Sequence, residues 1–393
     1  MDESPEARLF LFLAKNILEA KKVDLAGFLR GNAIGWKRFK DIAAFHELWP
    51  FFYPEMKNAA AIIPADLLEV FKQSHYQTLL QTQRMWHRFL VLAETFQKKD
   101  LSMVPLKGMA SLADIYRDMP FRAMADTDIL VREQEMDRVR EVLAGEGYAS
   151  ALGGLKEEYW LKKHCELTFY RKGEEPLDVH FGLDFKRSRG GILPRLWERV
   201  QSVSIDGRQI SLLSLEDQLF SLALHERRYG GKMFCLKNVF DLAMILKKYG
   251  SGFDWDYVLR EADVGKMRAT VFFILLQAAT FFDAAVPDLV WKRLKVPELR
   301  RRAVAKLIKE HTFDLAAAGD GKELFLKSHF LLFDGFWEPI SYILNIPIEQ
   351  FAKYYGLEPY ARRTEILYRM RFFYLPYCHA CGVKPSRYYA AGK

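Results

Sequence analysis

A change in hydrophobic pattern near residue 101 constrains the fold of this chain most strongly. Before it, apolar residues recur at helical spacing, and after it, short apolar runs alternate with glycine-containing turns. Short runs bounded by turn residues are typical of β-strands. They predict strands at 102–106, 127–131, 166–171 and 177–181, and helices at 109–118 and 133–146. A Lys-Gly-Glu-Glu-Pro turn predicts that the last two strands form a hairpin, which gives a small mixed α/β unit.

Helical patterns flank this unit on both sides. Apolar residues recur at helical spacing before residue 98, where Pro64 and an acidic first turn mark one helix start, and again from Ser214 onward. The predicted fold class is α+β, a mixed sheet with helices between helical regions. The predicted regions are an N-terminal helical region (1–98), an α/β core (99–212), a helical domain (213–324) and an aromatic and basic helical C-terminal region (325–393).

Two aspartates, Asp126 and Asp128, lie two residues apart where the second predicted strand begins. Because side chains alternate between the faces of a strand, both carboxylates point the same way. Asp178, on the last predicted strand, joins them if that strand pairs beside the first. Converging carboxylates repel unless a cation lies between them, and hard oxygen ligands suit Mg²⁺ or Mn²⁺. The sequence therefore predicts a catalytic metal site of these three aspartates, suited to two-metal phosphoryl chemistry.

A phosphate-binding turn is predicted just upstream. Lys107 and Gly108 follow the first predicted strand and precede a helix. A glycine at that point lets the backbone approach a phosphate, and a helix N-terminus offers free N–H groups to it. Lys107 adds a positive charge, Ser111 adds a hydroxyl, and Arg122 adds a guanidinium that can bind phosphate through paired hydrogen bonds. These four residues are the predicted NTP- and phosphate-binding groups.

Each feature also has a purely structural interpretation. An Asp-x-Asp pair at a strand edge and a Lys-Gly turn both occur without any ligand, and Asp178 is alternatively an ion-pair partner. His180 shares a strand face with Asp178 and is either a substrate contact or a satisfied structural histidine. His225 and Asp241, on predicted helices, either line the cleft or pair with each other. The combination, in this order, is more specific than its parts.

The order of these motifs resembles a known family. It runs Leu106-Lys107-Gly108, then Arg122-x-Met124-x-Asp126-x-Asp128-x-Leu130-Val131, then Gly145-x-Gly147-Tyr148, then Asp178-x-His180. Over about residues 30–290 the chain resembles bacterial nucleotidyltransferases of the polymerase-beta-like superfamily. The resemblance implies a small polymerase-beta-like core, with Asp126 and Asp128 as metal ligands, Asp178 as the third carboxylate and Gly108 as the phosphate-contacting glycine. Met109 stands where the superfamily usually has serine or glycine, so Ser111 is the candidate substitute.

The resemblance also implies a reaction. It is transfer of a nucleoside monophosphate from an NTP to an acceptor hydroxyl, dependent on Mg²⁺ or Mn²⁺, with release of pyrophosphate. The expected acceptor is a small molecule, a glycan precursor or a peptide. One alternative is an enzyme that adds nucleotides to RNA ends, or a toxin-type enzyme that acts on a macromolecule. An alternative of another class is a non-catalytic nucleotide-binding or scaffold protein.

Composition and charge limit the partners and the location that we expect for the protein. The net charge is +8, from 58 Lys and Arg against 50 Asp and Glu, a mild bias that fits an anionic partner but does not favour nucleic acid. No stretch is apolar enough to span a bilayer, and the acidic N-terminus is unlike an export signal, so a cytoplasmic protein is expected. The basic aromatic C-terminus is interpreted as a solvated face, with nucleic acid or an anionic membrane as alternatives. The lone Cys378 and Cys381 pair lacks the four ligands of a structural zinc site.

Overall fold

A mixed five-stranded sheet occupies the middle of the sequence, and helices precede and follow it. The computed structural model describes residues 4–22, 24–116, 122–151, 161–186, 191, 193–228, 234–315 and 328–380. The α+β fold class predicted from the sequence is confirmed.

The N-terminal helices begin where the sequence supplies start signals. Ser4 accepts a hydrogen bond from the Ala7 amide at 3.3 Å, and Pro5 occupies the first turn of the first helix. The longest helix follows Pro64 and has Asp66 in its first turn, as predicted. The helices are α1 (Pro5–Leu18), α2 (Leu25–Arg30), α3 (Trp36–Phe45), α4 (Trp49–Lys57) and α5 (Ala65–Lys98).

The central sheet has the strand order β1-β2-β5-β4-β3. Its strands are β1 (Val104–Pro105), β2 (Thr127–Leu130), β3 (Ala149–Ser150), β4 (Glu166–Tyr170) and β5 (Leu177–His180). Strands β2 and β5 are parallel, and the other pairs are antiparallel. The predicted strands and the β4–β5 hairpin are therefore confirmed, and β3 is an addition that the sequence patterns did not indicate.

The two faces of the sheet differ in polarity. Ile129 on β2, Val179 on β5 and Leu167 on β4 lie in register and are fully buried in the core. Side chains one residue away point to the opposite face, because strand side chains alternate. Asp128 and Asp178 are on that opposite face. Burial of the apolar face therefore fixes which way the carboxylates point.

Two helices pack beside the first strands, α6 (Lys107–Asp114) and α7 (Met136–Gly145). The helix at 133–146 was predicted, and here a 3₁₀ turn at Glu133–Glu135 leads into α7. The predicted start of the earlier helix at 109 is wrong, because α6 begins at Lys107 directly after β1. The described helix ends at Asp114, and residues 117 and 118 lie outside the described residues.

A separate two-stranded hairpin follows the sheet, formed by β6 (Gln201–Ile205) and β7 (Arg208–Leu212). The sequence patterns did not predict it. Asp206 and Gly207 make the turn with φ angles of +51° and +77°, as the tight turns of β-hairpins require. The Asp-Gly pair was the signal that could have revealed this hairpin.

The remaining described elements are helical. Ser214 caps the first of them, since its hydroxyl accepts from the Asp217 amide at 3.2 Å. The helices are α8 (Leu215–Arg228), α9 (Lys237–Tyr249), α10 (Trp255–Val264), α11 (Arg268–Phe282), α12 (Asp288–Arg293), α13 (Glu298–His311), α14 (Trp337–Leu344), α15 (Ile348–Tyr355), α16 (Arg362–Arg369) and α17 (Arg371–Ala380). The side chain of Cys378 and the whole of Cys381 lie outside the described residues.

The helices from the two ends of the chain share one core with the sheet. Phe10 of α1 packs edge-on against Phe313 at 5.8 Å, and Phe51 of α4 packs against Phe240 of α9 at 5.7 Å between ring centroids. The contacts neither support nor oppose the division into four regions, which stays a sequence prediction. Among the described residues, no helix combines the length and apolar character needed to cross a membrane.

Candidate active site

The pairing of β2 with β5 brings two of the predicted aspartates side by side. Asp128 and Asp178 are direct partners in the parallel register, so their side chains leave the same face of the sheet. Asp126 lies one residue before β2, with its side chain partly buried. Burial first, and then the neighbouring Asp128, raise the pKa of Asp126. The predicted convergence of carboxylates on one face therefore has its structural basis in this register.

Asp178 has one buried carboxylate oxygen without a donor in the described part of the chain. Its Oδ1 atom is buried and accepts no hydrogen bond from the residues that the structure describes. Burial, with Glu166 and Asp128 nearby, raises the pKa of Asp178 to about 6, against a smaller opposing effect from a hydrogen bond with Thr168. A buried carboxylate oxygen without a donor is costly, so this position suits a cation that the described residues do not provide.

Asp128 is held by two donors on a single oxygen. Lys107 Nζ lies 2.6 Å from Oδ1, and His180 Nε2 lies 2.8 Å from the same atom. Burial acts to raise the pKa of Asp128, but Lys107 and His180 outweigh it and hold the pKa well below its ordinary value. Asp128 is 5% exposed and His180 is fully buried. Asp128 is therefore an ionised carboxylate in a largely buried setting.

Lys107 reaches Asp128 from an unusual backbone conformation. Its φ angle is +48°, in the left-handed region that residues other than glycine rarely adopt. Such a conformation costs roughly 1–2 kcal/mol and persists only where surrounding contacts enforce it. Here the enforcing contacts are the Lys107–Asp128 ion pair and the immediate start of α6 after β1. The predicted turn thus places the lysine amine at the carboxylates.

A second charged cluster adjoins His180 on the side away from Asp128. His180 Nδ1 lies 3.2 Å from Glu166 Oε2, and Arg228 of α8 lies 2.9 Å from that oxygen. Arg228 Nη1 also donates to Cys165 Sγ at 2.7 Å. Burial raises the pKa of the Cys165 thiol, while Arg228 and His180 overcome the effect of burial on Glu166 and lower its pKa to about 2.

Cys165, Glu166 and His180 place their ligand atoms within 4.8 Å of one another, close enough to hold a metal ion. The guanidinium of Arg228 already lies against two of these three groups. A second cation in the same place would be repelled by it, so we interpret this cluster as an ion-pair network. Sequence spacing gives no signal for Cys165 and Glu166, because His180 and Arg228 are not close to them in sequence.

Arg122 is buried against the helical region. Its Nε lies 2.8 Å and its Nη2 2.5 Å from Asp241 Oδ2, and Nη2 also donates to Asn238 at 3.2 Å. Tyr116 donates to the other carboxylate oxygen of Asp241 at 2.8 Å. Asp241 therefore pairs with Arg122, and a contact of Arg122 with a triphosphate would require this pair to separate. Its phosphate-binding role stays a prediction.

Gly108 makes room for the Arg122 side chain. A Cβ atom on Gly108 would lie 2.5 Å from Met124 Sδ and closer still to Arg122 Nη1. Distances this short do not occur in folded proteins without a shift of neighbouring atoms. The glycine thus allows α6, Arg122 and Met124 to approach one another, beside any contact it makes with a phosphate.

Two further predicted residues lie around Lys107. Ser111 is 3% exposed and borders a cavity of about 10 Å³ shared with Gln218 and Ser221 of α8. His225, also on α8, has a pKa well below its ordinary value because it is buried and lies near Lys107 and Arg228. A role of His225 in the cleft stays a prediction, and phosphate contact by the buried Ser111 would need α6 and α8 to part.

A larger cavity of about 390 Å³ lies past the end of β2, between α5 and the β6–β7 hairpin. Arg132 lines it and stacks on Trp197, with the guanidinium carbon 4.5 Å from the ring centroid. None of the predicted site residues lines this cavity. The carboxylate site and this cavity are therefore separate features.

Comparison with known proteins gives one match. A family model described as "Uncharacterised nucleotidyltransferase" matches residues 32–283, which span α3 to α11 and include every predicted site residue. No curated protein and no solved structure matches the chain.

Proposed function

The chain belongs to this family of uncharacterised nucleotidyltransferases, and from that premise we propose that it transfers a nucleoside monophosphate from an NTP to an acceptor hydroxyl. The observation that carries the proposal is the parallel register of Asp128 with Asp178, with a buried oxygen of Asp178 lacking a donor among the described residues. Family membership supports the reaction class. The metal, the roles of individual residues and the acceptor are our proposal.

The charges of the site fit a divalent cation. The carboxylates of Asp126, Asp128, Asp178 and Glu166 face the cations of Lys107 and Arg228. When all four carboxyl groups are ionised, the negative charges exceed these two positive charges by two. Mg²⁺ or Mn²⁺ would neutralise the excess, and carboxylate oxygens are the ligands these ions prefer.

We assign Asp126, Asp128 and Asp178 as the residues that would hold the metal. Once bound, the ion would polarise the phosphate and lower the pKa of the acceptor hydroxyl. In the reaction, a bond forms between the acceptor oxygen and the α-phosphorus, and the bond from that phosphorus to the bridging oxygen of pyrophosphate breaks. Asp178, beside the site of the acceptor hydroxyl, takes the hydroxyl proton.

Lys107 supplies positive charge beside the carboxylates. Its amine lies 2.6 Å from Asp128 and is largely buried, so its interaction with a phosphate would be strong. We propose that it offsets the charge that develops on the departing pyrophosphate. His225, near Lys107 and with a lowered pKa, faces the same region as a neutral imidazole.

Label transfer tests the reaction type. The protein is incubated with Mg²⁺ and an NTP labelled at either the α- or the γ-phosphate, with a small-molecule extract as the source of acceptor. Nucleotidyl transfer predicts that only the α-label reaches the product and that the γ-label leaves as pyrophosphate. The double variant Asp126→Asn with Asp128→Asn should lose transfer. The matched control is Asp137→Asn, whose side chain on α7 is 93% exposed and should be silent.

Transfer of the γ-label would show a phosphotransferase and contradict the proposal. Full transfer by the double variant would contradict the assignment of the site. A folded wild-type protein that transfers neither label would favour the non-catalytic alternative over an enzyme.

A further inference from the structure

Five side chains that alternate between basic and acidic residue types form a continuous chain across the polar face of the sheet. Lys107 contacts Asp128 at 2.6 Å, Asp128 contacts His180 at 2.8 Å, His180 lies 3.2 Å from Glu166, and Glu166 contacts Arg228 at 2.9 Å. The chain starts at the first turn of α6 and ends on α8 of the helical region. It therefore connects Asp128 with a helix that supplies none of the proposed metal ligands.

The contacts to Asp128 are asymmetric. Both donors bind Oδ1, and Oδ2 accepts no hydrogen bond from the described part of the chain. A carboxylate held at one oxygen by two donors cannot rotate freely about its terminal bond. Its second oxygen is thereby fixed in direction, as a metal ligand must be.

Resting on the proposed function, we propose that Glu166 and Arg228 are positioning residues for metal binding. Through His180 they orient Asp128 so that Oδ2 is presented to the divalent ion. Neither residue touches the metal or the nucleotide. The affinity of the carboxylate site for its metal therefore depends on the docking of α8 against the sheet.

Each link restricts the next one. Arg228 has a side chain that is 2% exposed and also donates to Cys165 at 2.7 Å, so its position is fixed on two sides. Glu166 Oε2 lies 3.2 Å from the ring nitrogen of His180 that faces away from Asp128, without hydrogen-bond geometry, so Glu166 packs against that side of the ring rather than bonding to it. The other ring nitrogen then meets Asp128 in one orientation. Outer partners of this kind typically change metal affinity 10–100-fold when they are removed.

The test is calorimetric titration of Mn²⁺ into the full chain, with wild type compared with Glu166→Gln. The glutamine keeps the size of the side chain and an oxygen that can accept from Arg228, but it removes the charge beside His180. We expect Mn²⁺ binding about 10–100-fold weaker. The matched control is Glu175→Gln, in the turn of the same hairpin, where Glu175 pairs with the exposed Arg84. Its Mn²⁺ affinity should equal that of wild type.

A second comparison separates positioning from a general structural effect. Because Glu166 acts through His180, adding Glu166→Gln to His180→Gln should weaken Mn²⁺ binding little further. Arg228→Lys, which keeps the positive charge, should bind Mn²⁺ more tightly than Arg228→Met. If circular dichroism shows that Glu166→Gln is unfolded, the comparison of Arg228→Lys with Arg228→Met tests the positioning role instead. Equal affinities of these two variants would overturn the proposal.

The outcomes distinguish this inference from the proposed function. Wild-type protein that binds Mn²⁺, together with a folded Glu166→Gln variant of equal affinity, overturns the positioning role and leaves the proposed function standing. Additive effects of Glu166→Gln and His180→Gln also overturn it, since each residue would then act independently. Wild-type protein that binds no Mn²⁺, with or without NTP, removes both the proposed function and this inference.

Discussion

Replacing Asp241 by alanine should destabilise the protein strongly, because it leaves Arg122 as a buried charge without its ionic partner. The two side chains are 3% and 1% exposed, and two guanidinium nitrogens of Arg122 bind the Asp241 carboxylate. After the substitution, Arg122 keeps Asn238 at 3.2 Å and the Ala123 carbonyl at 3.3 Å, both uncharged. Removing one partner of a buried ion pair costs about 3–5 kcal/mol. That is a large part of a typical total stability of roughly 5–15 kcal/mol.

The assay is urea unfolding followed by circular dichroism, applied to Asp241→Ala, Arg122→Met and the double variant Arg122→Met with Asp241→Leu. Each single variant should lose stability. The double variant should recover most of the loss, because replacing both charges by apolar groups leaves no charge unpaired. The interaction energy of this double-mutant cycle should lie at the upper end of the roughly 0.5–3 kcal/mol seen for contacting residues.

The same variants decide between two roles for Arg122. If the ion pair is its main role, Arg122→Met lowers the free energy of unfolding, and the double variant binds NTP nearly as well as wild type. If Arg122 instead binds the triphosphate, as the sequence suggests, Arg122→Met weakens NTP binding and hardly changes the urea midpoint. That second pattern would refute our reasoning about the buried pair.

The remaining predictions concern Glu226 and Gly108. Burial raises the pKa of Glu226 from 4.5 to about 8, so its contribution to stability is fully present below about pH 4.5 and is lost as pH rises through 8. In urea unfolding, the free energy of unfolding of Glu226→Gln should therefore equal that of wild type near pH 4.5 and exceed it at pH 9. The difference at pH 9 should be at most about 5 kcal/mol, at about 1.4 kcal/mol per pKa unit. Equal free energies of unfolding at pH 9 would contradict the raised pKa of Glu226. Gly108→Ala should lower the melting temperature, because its Cβ would displace Arg122 and Met124. The control is Gly145→Ala, whose Cβ would meet no atom within 4 Å, and an unchanged melting temperature of Gly108→Ala would count against the close packing around Gly108.

Much of the sheet could be predicted from the sequence because its signals are local. Apolar runs bounded by turns marked β2, β4 and β5, and the side-chain alternation of a strand set the faces of Asp128 and Asp178. Whether β5 pairs beside β2 depends on contacts between distant segments. This pairing could therefore only be assumed, and not predicted, when the site was inferred from the sequence. The structure shows the pairing, in a parallel register.

The ion-pair network that joins Glu166 and Arg228 to His180 could not be predicted from the spacing of these residues in the sequence. Glu166 and Arg228 lie 62 residues apart, and their contact depends on how α8 docks against β4. Near Glu166 the sequence has a histidine and a cysteine without a partner at metal-binding spacing, a pattern that favours ordinary core or surface residues. Asp241 illustrates the same point. Its helix was predicted, but its partner proved to be Arg122, which lies 119 residues earlier.

The start of α6 differs from prediction for a backbone reason. A Lys-Gly pair after a strand favours a turn that uses the freedom of glycine. In the structure, Lys107 adopts the positive φ of +48°, and Gly108 lies within the helix, where the absence of a side chain admits Arg122 and Met124. The positive φ thus falls on the residue whose amine contacts Asp128, and not on the neighbouring glycine.

The most direct test of the central claim is calorimetric titration of each of the four NTPs into the protein, with and without Mg²⁺. We expect that at least one NTP binds only when Mg²⁺ is present. The double variant Asp126→Ala with Asp128→Ala should abolish this binding and retain the fold, as followed by circular dichroism. NTP binding that is independent of Mg²⁺ and unchanged in the double variant would contradict the carboxylate site. Absence of binding by folded wild-type protein would contradict the proposed reaction itself.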